Sequence, residues 1–403
     1  MKCKKRILII SQFFWPDNFR INDVIGSLSD KKYDITVITA KTSYTNQFNS
    51  KSNLRVEIKK FPNKKFIIFR VPVFHRVKST IFYISLNYLS FIFSGIFFGI
   101  RLLKNKKFDK IFVYGTSPII QSFVGLYFKK KLKIPIIIWV QDLWPESIIY
   151  SGYIKNYLII NIIRYFVDII YKNANVILLQ SKGFFKFFRK NIYKNKIIYL
   201  PNPCEKFLLT NKKNLFFKKS FNIVYAGNFG VAQNLSIVLK AANLLKQEDV
   251  SFYFFGDNSR ATDLLFLKKK LNLTNCFFPG YLKKQEFFST LNQASALVFG
   301  LKKNKIWSNT IPSKLQSYMS IGVPIIAYID GISKKIIRQA QCGIVNTPND
   351  YKGLAKSILK LKKMNKTQIS RYKKNAMNYS NKHFNLIKIS NKLQEVLDFD
   401  VQK

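Results

Sequence analysis

Two doubly wound α/β domains are the architecture this sequence predicts, and three observations predict it. Apolar runs of strand length alternate with helical stretches. The alternation breaks near residue 201 and restarts near residue 221. The chain, at 403 residues, exceeds what one hydrophobic core usually serves. The runs are apolar at nearly every position rather than at every second one. Such strands are buried on both faces, as in a parallel sheet covered by helices.

In order, the first set is RILIISQ (6–12), DITVITA (34–40), KIFVYG (110–115), IPIIIWV (134–140) and NVILLQS (175–181). The second is FNIVYAG (221–227), SFYFFG (251–256), CFFPGYL (276–282), ALVFGL (296–301) and VPIIAYI (323–329). Between them PNPC breaks regular structure, and NKKNLFFKKS is a basic connector, which places the boundary between Pro201 and Ser220. Beyond Asp350 the chain reads as helical. The expected domains are 1–203, 204–380 and a last helix in 381–403 that packs back on the first domain. No repeat of solenoid period is present.

Composition narrows the function classes. With 68 Lys+Arg against 20 Asp+Glu the formal charge is +48, which points to nucleic acid, an acidic membrane surface or phosphorylated substrates. Lys, Asn, Ile, Phe and Tyr are over-used together, as an AT-rich genome would produce, so part of the charge is compositional. The lysines are dispersed and no nucleic-acid-binding motif is visible, which argues against nucleic acid as partner. Cysteines at 3, 204, 276 and 342 have no metal-ligand spacing and suggest no disulfide framework. His75 and His383 are the only histidines, which leaves little room for His-based metal sites or catalytic triads; no metal and no other cofactor is expected.

The start MKCKKR is followed by only ILII, too short for a signal-peptide core, so a cytosolic protein is expected. From Ser79 to Ile100 there is no charge, and Lys78 and Arg101 bracket the stretch. Its length suits a membrane helix at about 1.5 Å per residue. A helix buried in a large core, a helix lying in the cytoplasmic leaflet and a full span all fit that length. The chain runs on directly into KIFVYGTSP, the next strand, which disfavours the span. The expected location is the cytoplasmic face of the inner membrane, peripheral or monotopic.

Two turns in the second half carry the chemistry. Strand 221–227 runs into Gly227-Asn228-Phe229-Gly230, with Gln233 close behind. Glycines three apart let the backbone approach a phosphate, though any strand-to-helix turn uses glycine. The second turn, Pro312-Ser313-Lys314, opens a helix after GLKKNKIWSNT. Proline and a hydroxyl suit a helix start, but a lysine there opposes the dipole, a conflict that a bound anion removes. Gly256-Asp257 and Gly280-Tyr281 end the next two strands, where ligands of open α/β sheets bind, and either pair is a candidate wall for a base.

In the first half, WVQDLWPESI puts Gln141, Asp142, Trp144 and Glu146 just past strand 134–140. An acid beside tryptophans is a candidate sugar platform; the plainer alternative is an N-cap Asp with core tryptophans. SQFFWPDNFRIND repeats the pattern after the first strand with Trp15, Asp17, Asn18 and Arg20.

The segments QDLWPES, AGNFGVAQNL, FGDNSR and IPSKLQSYMSIGVPIIA, in this order, resemble the family-4 type of retaining nucleotide-sugar glycosyltransferases. Within it the chain looks most like the WbuB/WcaI-like branch of bacterial surface-polysaccharide assembly. The resemblance spans essentially the whole chain. It implies the GT-B architecture: two facing Rossmann-like domains with the active site in the cleft between them. It implies a nucleotide-sugar donor, UDP-linked by expectation, with N-acetylated amino and deoxyamino sugars among the candidates. The acceptor is expected to be a polyprenyl-linked saccharide at an anionic membrane surface, in O-antigen, capsule or exopolysaccharide synthesis.

Carried over residue by residue, Gly227, Asn228, Phe229, Gly230, Gln233, Gly256, Asp257, Gly280, Tyr281, Pro312, Ser313, Lys314 and Ser317 are the expected donor contacts. Trp15, Asp17, Asn18, Arg20, Gln141, Trp144 and Glu146 are the expected acceptor contacts, with Asp142 and Lys314 catalytic. The chain departs from the wider family in three places. Two glutamates eight apart ahead of the glycine–proline turn are Asn309 and Ser317 here. The Arg/Lys pair after the glycine turn is missing, with Gln233 near that place, and His-Asp reads Gln141-Asp142. Lys314 becomes the leading candidate for the diphosphate cation. The rivals are a nucleotide-sugar 2-epimerase on the same fold, expected to need cleft carboxylates and a histidine, and a basic nucleic-acid-binding protein.

Overall fold

A computed structural model describes residues 4–41, 56–76, 80–150, 154, 156–188, 197–204, 217–218, 220–256 and 261–399. The chain forms two units: Met1–Asn202 with Leu386–Lys403, and Pro203–Asn385.

The first unit is built on eight strands. These are β1 (Lys5–Ile10), β2 (Tyr33–Ala40), β3 (Glu57–Lys60), β4 (Ile67–Val71), β5 (Lys110–Gly115), β6 (Ile136–Val140), β7 (Val176–Leu179) and β8 (Ile197–Tyr199), in the sheet order β3-β4-β2-β1-β5-β6-β7-β8. Every pair is parallel except β3–β4. The five expected strands are β1, β2, β5, β6 and β7; their side chains are almost wholly buried, as helices on both faces require. β3, β4 and β8 are additional to the expected strands. β3 (EIKK) is a charged edge strand, a device that blunts sheet edges, and β8 has only three residues.

Helices α1 (Arg20–Ser27), α2 (Ile81–Leu102), α3 (Ser122–Leu132), α4 (Glu146–Tyr150) and α5 (Tyr157–Asn173) complete its first stretch. The uncharged segment is α2, and it is not a buried core helix. Asn87, Phe91, Gly95 and Gly99, four apart, face inward. The two glycines let it lie close to α3: a Cβ on Gly95 would sit 3.1 Å from Val124, and one on Gly99 2.7 Å from Phe128. On the opposite side Phe82, Phe93 and Phe97 are 68%, 71% and 72% exposed.

The second unit has one six-stranded parallel sheet. Its strands are β9 (Phe221–Ala226), β10 (Val250–Phe255), β11 (Cys276–Gly280), β12 (Ala296–Gly300), β13 (Ile325–Tyr328) and β14 (Gly343–Asn346), in the order β11-β10-β9-β12-β13-β14. Numbered within the unit this is 3-2-1-4-5-6, the doubly wound order of dinucleotide folds. All five expected strands are present; β14, short and half-buried, is additional. Its helices are α6 (Ser236–Leu244), α7 (Ala261–Lys270), α8 (Lys284–Asn292), α9 (Ser313–Ile321), α10 (Gly331–Ala340), α11 (Tyr351–Lys362) and α12 (Lys366–His383).

The last helix, α13 (Leu386–Asp398), belongs to the first unit. Ile389, Leu393, Val396 and Leu397 enter the core that holds Ile7, Ile9, Ile21 and Val24. Its end is tied down: Tyr33 Oη donates to Asp398 at 2.9 Å, and the buried Lys110 ammonium donates to the carbonyls of Val396 and Phe399. The change of unit falls later than residue 380, because α12 runs on to His383 and Phe384 sits in the second unit's core, its carbonyl taking the Cys204 N–H at 2.8 Å. Leu393→Ala should destabilise the first unit by about 2–5 kcal/mol, as a fully buried leucine does. Urea unfolding should show a lowered midpoint, and an unchanged one would remove the helix from the core.

Candidate functional site

The strand order of the second sheet reverses between β9 and β12, and in open α/β sheets ligands bind at the carboxyl ends of strands at such a point. Three glycines close that edge. Gly227, Gly256 and Gly280 follow or end β9, β10 and β11 with φ of 133°, 147° and 91°, which only glycine adopts comfortably. The Gly227 N–H donates to Phe255 O at 2.8 Å and the Gly256 N–H to Gly280 O at 2.9 Å. A Cβ on Gly256 would fall 2.1 Å from Gly227 O, so no other residue fits.

Lys314 lies against the first of these glycines. A Cβ on Gly227 would come within 2.8 Å of its Nζ, and the Nζ is 5.1 Å from the centre of the Tyr225 ring. Among the described residues this half-buried ammonium has no carboxylate and no hydrogen-bond partner. Burial pushes its pKa down to about 8. It stands in the first turn of α9, at the positive end of the helix dipole. The expected hydroxyl cap of this helix is absent: Pro312 takes the capping position and no side chain bonds the first N–H groups. Among the described residues the N–H groups of Phe229 and Gly230 also have no partner. A cation against Gly227 and two unpartnered amides at 229 and 230 therefore share one turn, with no protein anion among the described residues to satisfy them, which is what an anionic ligand needs.

The other expected donor residues divide. Asn228, Ser313 and Tyr281 are exposed, Tyr281 at 68%. Gln233 ends a short 3-10 turn, its Oε1 over Gly230, and α6 begins at Ser236. The Phe229 ring is buried between Tyr225 and Phe278, leaving only its backbone for a ligand. Ser317 is buried one turn into α9. Asp257 lies outside the described residues.

In the first unit the carboxyl edge is lined with amides. Asp142 stands two residues beyond β6 and accepts a hydrogen bond from the Ser117 backbone; burial raises its carboxyl above the ordinary carboxylate range. It is not a helix N-cap, because α4 begins at Glu146. The expected indole platform is not there. Trp144 is buried and donates to Ser117 Oγ at 2.7 Å, and Trp15 carries the Arg70 guanidinium 5.4 Å from its ring and Phe61 at its edge. Asp17 is buried, Asn18 is exposed and Arg20 opens α1.

Gln141 accepts from Asn202 at 2.7 Å and its backbone carbonyl from Gln180 at 3.2 Å. Gln12 and Gln180, buried like Gln141, join this edge without being among the expected residues. The signal was available: each is a glutamine within two positions of the end of an apolar strand.

Residues 209–379, all in the second unit, match the family described as Glycosyl transferases group 1. The probable glycosyltransferase WbjE of Pseudomonas aeruginosa is 22% identical over 284 residues, 67% of this chain and 70% of that protein. The chain is a glycosyltransferase.

Solved structures place the glycosyltransferase in the GT-B fold class of two Rossmann-like domains. Sucrose-phosphate synthase from Thermosynechococcus elongatus matches with a TM-score of 0.74 at 13% identity, over 98% of each chain. Anabaena HepE, in complex with UDP and glucose, matches at 0.69 and 13% identity, over 97% of this chain and 98% of that one. WaaG, a glycosyltransferase involved in lipopolysaccharide biosynthesis, matches at 0.69 and 12% identity, over 97% and 99%.

Proposed function

We propose that this glycosyltransferase moves a sugar, with retention, from a UDP-sugar to a lipid-linked saccharide in the assembly of a bacterial surface polysaccharide. The observation that carries the donor half is Lys314, a half-buried cation with no acidic partner among the described residues, set against the turn whose amides at 229–230 are unpartnered and at the amino end of α9. HepE, of the same fold, is described with UDP and glucose bound, which favours a uridine nucleotide. As the anomeric C–O bond breaks, negative charge grows on the leaving diphosphate; Lys314 and the amides stabilise it in place. The acceptor oxygen bonds to the same face of that carbon, and its proton passes to the departing phosphate oxygen. No protein nucleophile and no metal are required by this route.

The test is a melting-temperature screen with UDP, GDP and short oligonucleotides, followed by UDP-sugars with a membrane lipid extract read by mass spectrometry. A rise with UDP alone and a glycosylated lipid support the reading. A rise only with oligonucleotides, or interconversion of the free nucleotide sugar, would replace it.

The acceptor half rests on the helical layer of the first unit. α2 exposes Phe82, Phe93 and Phe97, and α5 exposes Tyr157, Leu158 and Tyr165. Lys129, Lys130 and Lys131 end α3, which packs on both helices. Exposed aromatics with a basic rim suit an anionic leaflet at the cytoplasmic face of the inner membrane. Phe93→Glu with Phe97→Glu should move the enzyme from the membrane pellet to the soluble fraction and leave UDP affinity unchanged. Wild-type protein that stays soluble in a low-salt lysate would refute membrane docking.

A further inference from the structure

Tyr225, Tyr318 and Tyr328 are fully buried, and all three hydroxyls reach one short segment, residues 226–233. Tyr225 Oη donates to Asn228 O at 2.6 Å, and Tyr328 Oη to Gln233 O at 2.7 Å. Tyr318 Oη accepts from the Ala226 N–H at 2.9 Å. The three come from different elements: β9, β13 and α9. Burial raises all three phenols, so they stay protonated through the physiological range.

Tyr328 has the longest reach, because β12 lies between β13 and β9. It crosses at Gly300, where a Cβ would fall 2.1 Å from the tyrosine ring. β12 therefore ends in glycine so that a ring from the next strand can pass over it. The result is a turn with fixed polarity. The buried tyrosines hold the carbonyls of Ala226, Asn228 and Gln233, while the N–H groups of Phe229 and Gly230 have no partner among the described residues.

We infer that Tyr225 and Tyr328 are positioning residues for the donor: by holding the carbonyls of Asn228 and Gln233 they keep the amides of the 226–233 turn set for the diphosphate. The inference rests on the reading of this turn as the diphosphate site. Tyr225 also supports Lys314 with its ring, whereas Tyr328 acts through the turn alone, which makes it the cleaner probe.

Tyr328→Phe keeps the ring over Gly300 and removes only the hydrogen bond. UDP affinity by calorimetry and donor KM should both weaken about three- to tenfold, the worth of one such bond, with kcat within about twofold of wild type. Tyr225→Phe, a second variant should the first fold poorly, should behave alike. The control is Tyr253→Phe, which removes a hydroxyl of the same unit that accepts a hydrogen bond from the Lys218 N–H at 2.9 Å. It should lower the melting temperature and leave UDP affinity alone. Unchanged UDP affinity in both turn variants, or an equal loss in Tyr253→Phe, overturns the inference. Wild-type protein that binds neither UDP nor GDP overturns the reading of the site, and the inference with it.

Discussion

Lys314→Ala is expected to lower kcat by about two to three orders of magnitude, the usual effect of removing one preorganised charge stabiliser. The fold should survive, since among the described residues the side chain has no hydrogen bond or ion pair that the change would break. Partial desolvation of its ammonium is unfavourable in the free enzyme, so the melting temperature without ligand should hold or rise. The same residue predicts a pH dependence. In the free enzyme the ammonium titrates at about 8, and an anion binds its protonated form. UDP affinity should therefore fall as pH rises through about 8. Binding at pH 9 should take up protons, because the bound anion restores the higher pKa. Calorimetry in buffers of different ionisation enthalpy reads this uptake directly. A Lys314→Ala enzyme with near-normal turnover, or affinity that does not change between pH 7 and 10, would remove the lysine from the mechanism.

Asp142→Asn should reduce turnover by about two or more orders of magnitude while UDP binding barely changes. The carboxylate belongs to the first unit and the nucleotide contacts are assigned to the second, so the two readouts separate. The benign explanation for an unaffected variant, that asparagine caps a helix as well as aspartate does, is closed by α4 starting four residues later. If the ionised form orients the acceptor hydroxyl, activity must fall as pH drops through the raised pKa of this group, placing the acid limb above the ordinary carboxylate value of about 4. Lost UDP binding in Asp142→Asn would instead mean that the two halves of the chemistry are assigned the wrong way round.

The sheets were legible because parallel strands are buried on both faces. A run such as IIIWV has no other stable place. What was not legible follows from the same rule. β3 and β14 are short, and partial burial at an edge leaves no continuous apolar signature. In the candidate site, Gly227 and Lys314 stand out in the sequence because phosphate chemistry restricts the residue types that serve, and the structure brings the two side by side. The tyrosines beneath them could not: in sequence Tyr225 and Tyr328 are two more aromatic letters in apolar strands, and only the crossing over Gly300 gives one of them a task. Trp144 shows the opposite failure. Its neighbours suggested a sugar platform, but a bond to Ser117 Oγ turns it inward.

The return of α13 to the first unit has a consequence for the timing of synthesis. The apolar face that receives Leu393 and Leu397 is made early, but its covering helix follows the whole of Pro203–Asn385. At about 5–20 residues per second that face waits about 10–40 s for its last layer. The second unit, continuous in sequence, can finish first. Until α13 emerges, the apolar face that receives it stays uncovered within a strongly basic polypeptide. A separately supplied peptide of residues 386–398 should compete for that same vacancy while translation is still under way.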